Sequence, residues 1–149
     1  MGLPDSVRDE LKPVINGMGF DIVEIKVGLS HKLCHISVVV YSSSGVGVND
    51  CSAISRNILP RLELMEELEN ITLEVTSPGI DRQLKSKEEY SIFTGRGIKI
   101  LPANADDYTG GIISGVEGNK LFLKREKEII EIDMDSIKKA KLDYSQEDR

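Results

Sequence analysis

The chain has 149 residues, of which 40% are hydrophobic and 30% are charged, and its formal net charge is −6 at pH 7. This length suits one ordinary domain or two small ones. A membrane protein is disfavoured, because no run of about 20 apolar residues occurs. Asp5, Asp9 and Glu10 interrupt the N-terminal apolar residues, which argues against a secretory signal peptide. We therefore expect a cytoplasmic protein.

The negative charge is concentrated in the first part of the chain. Residues 1–93 carry nine Lys/Arg against fourteen Asp/Glu, whereas residues 94–149 carry ten against eleven. An acidic surface repels the phosphate backbone of nucleic acid and attracts basic proteins. The first part is therefore expected to meet a basic protein more readily than bare RNA.

The residues that carry enzyme chemistry are sparse. Cys34 and Cys51 lack the further Cys or His ligands of a zinc site, and they are expected to be reduced thiols. His31 and His35 are the only histidines, and His35 falls on the strand face opposite Cys34, so a thiolate–imidazole pair is not expected. We predict no catalytic residue, metal, cofactor or small-molecule substrate.

Apolar periodicity in the first half predicts the order helix, strand, strand, helix, strand. The first helix is expected to be capped by Ser6 with Asp9, and the second by Asn49 or Asp50. Period-two alternation predicts strands at residues 20–29, 33–41 and 71–76. Pro13 is expected to bend the first helix, and Pro60 to kink or end the second near Leu59.

After residue 85 the pattern becomes a short helix followed by short β segments. Ser86 and Glu89 predict a capping box at the start of a helix over residues 86–93, and we place a domain boundary after residue 94. Five strands in about 45 residues are typical of a small SH3-like or Sm-like barrel. The predicted strands are residues 98–101, 110–116, 120–124, 129–133 and 137–142, with one helical turn at 134–136.

The loop after the third strand is the most distinctive stretch. Pro78 and Gly79 suit the central positions of a type II turn. The turn would present Asp81 and Arg82 to a partner outside the fold. Two ordinary structural roles remain open: Asp81 could cap the following segment, and Arg82 could be solvated or pair with Glu74.

The loop and the second helix resemble a known family. The sequence ITLEVTSPGIDRQL over residues 71–84 resembles the signature of the bacterial ribosome maturation factor RimP family, a strand followed by Ser-Ser-Pro-Gly-Leu-Asp-Arg-Pro-Leu. Here Thr76 replaces the first Ser, Ile80 the Leu and Gln83 the second Pro. In addition, DCSAISRNILPRLE over residues 50–63 is similar to the family's second helix. The order of elements agrees with the family over nearly the whole chain.

The resemblance implies an α+β protein with two domains: an N-terminal α/β domain at 1–94 and a C-terminal SH3-like barrel with a short polar tail at 95–149. It also implies a non-enzymatic, cytoplasmic factor for assembly of the 30S ribosomal subunit. Such a factor binds the free subunit through a small-subunit ribosomal protein and adjacent 16S rRNA. The expected partner-binding residues are Ser77, Pro78, Gly79, Asp81 and Arg82.

The second domain offers candidate rRNA contacts, namely Lys120, Lys124, Arg125, Lys138 and Lys139. Acidic residues are interleaved with them, so an ordinary solubilising surface is an equal alternative. Two other functions also remain open. One is a general RNA-binding Sm-like module, and the other is an unrecognised hydrolase, which the missing general base and metal ligands disfavour.

Overall fold

The structure is a computed structural model that describes residues 2–147. It contains two compact units, one extending to Pro78 and the other beginning at Gly79. The helices and strands, in chain order, are α1 (Leu3–Gly17), β1 (Asp21–Ser30), β2 (Leu33–Tyr41), α2 (Val48–Glu63), β3 (Ile71–Thr76), α3 (Lys87–Ile92), β4 (Gly97–Pro102), β5 (Thr109–Glu117), β6 (Lys120–Arg125), β7 (Glu128–Asp133) and β8 (Ile137–Leu142). Short 3₁₀ turns lie at Met134–Ser136 and Tyr144–Glu147.

The first unit is a three-stranded sheet packed against two helices. Its strand order is β1-β2-β3, with β1 and β2 antiparallel and β2 and β3 parallel. Helix α1 contacts β1, and α2 contacts both β3 and α1. The parallel pair follows from the crossover through α2, which returns the chain to the end of the sheet where β2 begins. The predicted order of helix, strand, strand, helix, strand is confirmed.

The core of this unit comes from residues at helical spacing on the two helices and at alternate positions on β2. Each is at most 1% exposed, as expected for side chains on the buried faces of packed layers. They are Val7, Leu11, Ile15, Cys34, Ile36, Val38, Val40, Ile54, Ile58 and Leu62.

Both long helices begin earlier than their polar residues predicted. Helix α1 starts at Leu3 with Gly2 as its N-cap, so the predicted Ser6 cap is wrong. The N-cap of α2 is Gly47, and Asp50 lies one turn inside, where its Oδ2 accepts the Gly47 N–H at 2.8 Å. A carboxylate on the first helical turn can satisfy a free backbone donor without itself being the N-cap.

The internal prolines do not end the helices. Pro13 lies inside α1, which continues to Gly17, and Pro60 lies inside α2, which continues to Glu63. Pro60 was expected to kink or end α2 near Leu59, and the helix does not end there. Each proline removes one backbone donor, and burial of the apolar face over the whole length of α2, including Leu62, offsets this loss.

The second unit is a five-stranded sheet with the order β7-β6-β5-β4-β8, in which every neighbouring pair is antiparallel. All five predicted strands and the helical turn before the last one are present. The sheet is open between β7 and β8 within residues 2–147, so the described part of the chain is a mixed α+β structure with two sheets, and the closed barrel is not seen. The most buried apolar side chains of this unit are Phe93, Ile98, Ile100, Ile113, Leu121 and Leu123.

A short extended segment, residues 82–84, borders β8. The Leu142 N–H donates to the Arg82 carbonyl and the Leu84 N–H donates to the Ala140 carbonyl, both at 2.9 Å. Gln83 lies opposite Lys141 in an antiparallel bridge, and α3 packs on β5. The chain therefore divides by its contacts at Pro78, earlier than the boundary that the sequence predicted after residue 94.

Candidate functional site

The loop that follows β3 contains a hydrogen-bonded turn, but not the predicted one. The Arg82 N–H donates to the Gly79 carbonyl at 3.1 Å, so Ile80 and Asp81 occupy the two central positions. Gly79 does not have a positive φ, and a type II turn centred on Pro78 and Gly79 would require one. That turn type is therefore wrong, because the chain reverses two residues later.

The tip of this turn is exposed. The Ile80 side chain is 81% exposed, and Asp81 is also exposed. Ser77 is exposed, Pro78 is half-buried, and Gly79 is exposed with open space beside its Cα apart from the Asp81 carboxylate. Ile80 is not among the partner-binding residues that the sequence predicts. A large aliphatic residue between two turn residues and a charge was the signal that could have singled it out.

Arg82, in contrast, points to an internal partner. Its Nε lies 2.8 Å from Oε1 of Glu89, and the two side chains are only 10% and 2% exposed. The sequence also allows an internal pair of Arg82 with Glu74, but the structure pairs Arg82 with Glu89. Charge-assisted hydrogen bonds of this kind are short and directional. Arg82 therefore fixes the end of the loop from inside the second unit.

Glu89 organises the start of α3. Its Oε2 accepts the backbone N–H of Lys85 at 3.0 Å and that of Ser86 at 3.2 Å. The predicted capping box of Ser86 and Glu89 is confirmed. The neighbouring phenol of Tyr90 is also buried, and burial together with the negative charge of Glu89 raises the pKa of Tyr90 to about 12. Glu89 thus satisfies free helix donors and holds the loop at the same time.

The candidate rRNA contacts form two groups. Lys124 and Arg125 are exposed at the end of β6, and Lys138 and Lys139 are exposed on β8. Strands β6 and β8 are three strand spacings apart in the sheet, which is about 14 Å along its surface. Lys120 pairs with Glu131 at 3.5 Å. The structure therefore places the five residues on one sheet but does not bring them into one cluster.

A groove of about 760 Å³ lies beside the first of these groups. Its charged lining mixes Lys124, Arg125 and Lys127 with Glu126 and Glu128. The start of β5 also lines this groove, and its glycines leave room for close neighbouring atoms. A Cβ on Gly111, for example, would lie 2.9 Å from the Lys124 carbonyl oxygen. The excess of positive charge is small, which limits attraction to phosphate.

An exposed polar network fastens α3 to two turns of the second unit. Lys87 Nζ donates to Asn119 Oδ1 at 2.7 Å and to Asp135 Oδ1 at 2.8 Å. Asn119 Nδ2 donates to Asp133 at 2.7 Å and to Asp135 at 2.8 Å. Hydrogen bonds from Lys87 and Asn119 hold the pKa of Asp135 below its ordinary value. This network is structural, because each of its polar groups is turned toward another.

The two thiols lack the features of reactive cysteines. Burial raises the pKa of Cys34, and burial and the Asp50 carboxylate raise that of Cys51, so both stay protonated at neutral pH. His35 lies 3.3 Å from the Ser37 hydroxyl and 3.7 Å from Glu74.

Within residues 2–147 no group of three or more His, Cys, Asp or Glu side chains could hold a metal ion. No helix in this described part is long and apolar enough to cross a membrane.

These features describe a two-unit α+β protein whose most distinctive surface is an ordered, exposed turn. Comparison with known proteins gives its family. The model of the RimP N-terminal domain matches residues 10–81. The ribosome maturation factor RimP of Borrelia turicatae (strain 91E135) is 33% identical over 136 residues, which cover 91% of this chain and 93% of that protein. The protein of the same name from Borrelia recurrentis (strain A1) is 32% identical with the same coverage. The chain belongs to the RimP family of ribosome maturation factors.

Proposed function

We propose that this protein is a ribosome maturation factor for the 30S subunit, which binds the free subunit through a small-subunit ribosomal protein and adjacent 16S rRNA. Family membership supports this role, since the two relatives match 91% of the chain under the name ribosome maturation factor. The structural observation that carries the proposal is the exposed turn at Ile80 and Asp81, whose C-terminal end is held by the buried Arg82–Glu89 pair. The protein acts in the cytoplasm by binding, without a cofactor and without catalysis.

In this proposal the residues of the loop have different roles. Ser77, Pro78 and Gly79 set the path of the backbone toward the turn. Asp81 offers a carboxylate to a basic side chain of the ribosomal protein. Arg82 acts from inside by fixing the turn through Glu89. A turn that is ordered before binding loses little conformational entropy on contact, which favours affinity from a small surface.

The second unit supplies a weaker contact with rRNA through Lys120, Lys124, Arg125, Lys138 and Lys139. We also propose that the sheet of the second unit closes completely into an SH3-like barrel. Two modest contacts on one chain raise the overall affinity, because the first raises the effective concentration of the second. Each contact remains weak enough to release when the subunit matures.

Co-sedimentation with purified 30S, 50S and 70S particles tests this function. We expect association with free 30S subunits and little with 50S or 70S particles. A salt titration with naked 16S rRNA separates the alternative, a general RNA-binding module. Tight RNA binding that falls steeply with salt, without preference for 30S particles, contradicts the proposed function and favours that module.

A further inference from the structure

The β1–β2 hairpin extends beyond the helices that cover its core face. Along that face of β1, Ile25 is 8% exposed, Val27 is half-buried and Leu29 is 66% exposed. Leu29 lies directly opposite Cys34 in the ladder, so its side chain belongs to the same face as the buried residues of β2. The apolar face of β1 therefore continues from the buried core to a solvent-exposed side chain, Leu29.

The end of the hairpin is held in place. The turn residues His31 and Lys32 have φ values of 47° and 69°, as in a type I′ turn. Asn70, just before β3, donates from Nδ2 to the Lys32 carbonyl at 3.0 Å, and its own carbonyl accepts the Cys34 N–H at 3.2 Å. The end of the hairpin that carries Leu29 is therefore held in place by hydrogen bonds to Asn70.

A groove of about 330 Å³ lies beside this turn, and we call it the hairpin groove. The hairpin contributes two exposed apolar residues to its lining, Leu29 and Leu33. The segment between α2 and β3 contributes three glutamates, all exposed. The lining residues are Leu29, Ser30, His31, Lys32, Leu33, Glu66, Glu67 and Glu69. Three carboxylates against the single Lys32 give the groove a net negative charge.

We propose that the hairpin groove binds an extended, lysine- and arginine-rich polypeptide segment that places an apolar side chain on Leu29. The apolar side chain would continue the apolar face of β1, and the basic side chains would pair with Glu66, Glu67 and Glu69. Charge complementarity selects this occupant. The three carboxylates would repel the negatively charged backbone of RNA. They would also repel the same groove of a second copy, because that groove carries the same negative charge.

This inference extends the proposed function by giving a basic protein a further contact, in the first unit. Its chemistry can be tested without ribosomes. The full-length protein is titrated into a short fluorescent peptide of lysine, arginine and leucine, and binding is followed by anisotropy. A peptide with glutamate in place of every basic residue is the control ligand.

Two variants test the groove, each with a matched control. Glu66→Gln with Glu67→Gln and Glu69→Gln is compared with Asp9→Asn, Asp21→Asn and Glu63→Gln, which remove the same charge from exposed sites elsewhere in the first unit. We expect the groove variant to weaken peptide binding about tenfold. Leu29→Ala should weaken it about threefold, while Val48→Ala, at a residue that is 83% exposed, should leave it unchanged.

Three results would overturn the inference. The first is equal loss of binding in the groove and control variants, which indicates attraction to total charge alone. The second is unchanged binding in both groove variants. The third is a groove-dependent affinity for RNA or a groove-dependent dimer in place of peptide binding. If the wild-type chain fails to co-sediment with 30S subunits while the groove variants selectively lose the peptide, the proposed function fails and this inference stands.

Discussion

Arg82 Nε and Glu89 Oε1 lie 2.8 Å apart in a nearly solvent-free position, and this pair joins the end of an exposed turn to the first turn of α3. Both partners also hold backbone groups: the Arg82 carbonyl accepts from Leu142, and Glu89 accepts from Lys85 and Ser86. The loop thus ends on a fixed point, so a change to Arg82 affects both loop position and stability.

Arg82→Ala should lower the free energy of unfolding by about 3 kcal/mol, because it leaves the Glu89 carboxylate buried without its cation. Arg82→Lys should recover only part of this, since an ammonium cannot reproduce the planar donor set of the guanidinium. Urea unfolding measures both, with exposed Lys139→Ala as the control. A loss below about 0.5 kcal/mol would show that the pair contributes little.

Asp81→Ala and Ile80→Ala should each weaken association with 30S subunits about threefold to tenfold while changing the free energy of unfolding by less than about 0.5 kcal/mol. Both side chains are exposed at the tip of the turn. Quantitative co-sedimentation measures the first effect, and Leu64→Ala, at a residue that is 84% exposed, is the control for loss of a surface aliphatic group. Unchanged association in both loop variants would remove the turn from the contact surface.

Gly97→Ala should destabilise the second unit by about 2 kcal/mol, whereas Gly79→Ala should change stability by less than about 0.5 kcal/mol. A Cβ on Gly97 would collide with the Asp143 carbonyl oxygen, while at Gly79 the nearest atom is Asp81 Oδ1 at 3.6 Å. Thermal and urea unfolding of the two variants provide the comparison. Equal effects at both positions would contradict the packing at Gly97.

Tyr90 should make stability depend on pH in the alkaline range. Its pKa rises from 10.0 to about 12 on folding, so its contribution is complete below pH 10 and is lost as the pH rises toward 12. The loss is on the order of 2 kcal/mol. Tyr90→Phe removes this titration. The unfolding free energy of wild type should therefore fall more steeply than that of the variant between pH 10 and 12, and parallel curves would exclude the effect.

Much of the fold was predictable because apolar periodicity reports burial directly. The alternation of Cys34, Ile36, Val38 and Val40 predicted a strand with one core face, and all four are at most 1% exposed. The starts of α1 and α2 were not predictable in the same way. Their N-caps, Gly2 and Gly47, have no polar side chain to mark the position.

The candidate site was predictable in place but not in detail. Residues 77–82 were identified as a distinctive loop, yet the turn lies two residues later than Pro78 and Gly79 suggested. The Arg82–Glu89 pair depends on how the chain turns between the two residues, and a spacing of seven residues gives no local signal for it. Exposure of Ile80 likewise follows from the tertiary course of the chain.

The parallel pairing of β2 with β3 has a consequence for experiments at both ends of the first sheet. Asn70 lies beside the hairpin turn, and six residues of strand separate it from Ser77, a span of about 20 Å. At this distance the free-energy effects of substitutions at Leu29 and at Ser77, which both lie in the first unit, should add. A partner that contacts both ends of this sheet must span about 20 Å, which is less than the diameter of a small domain.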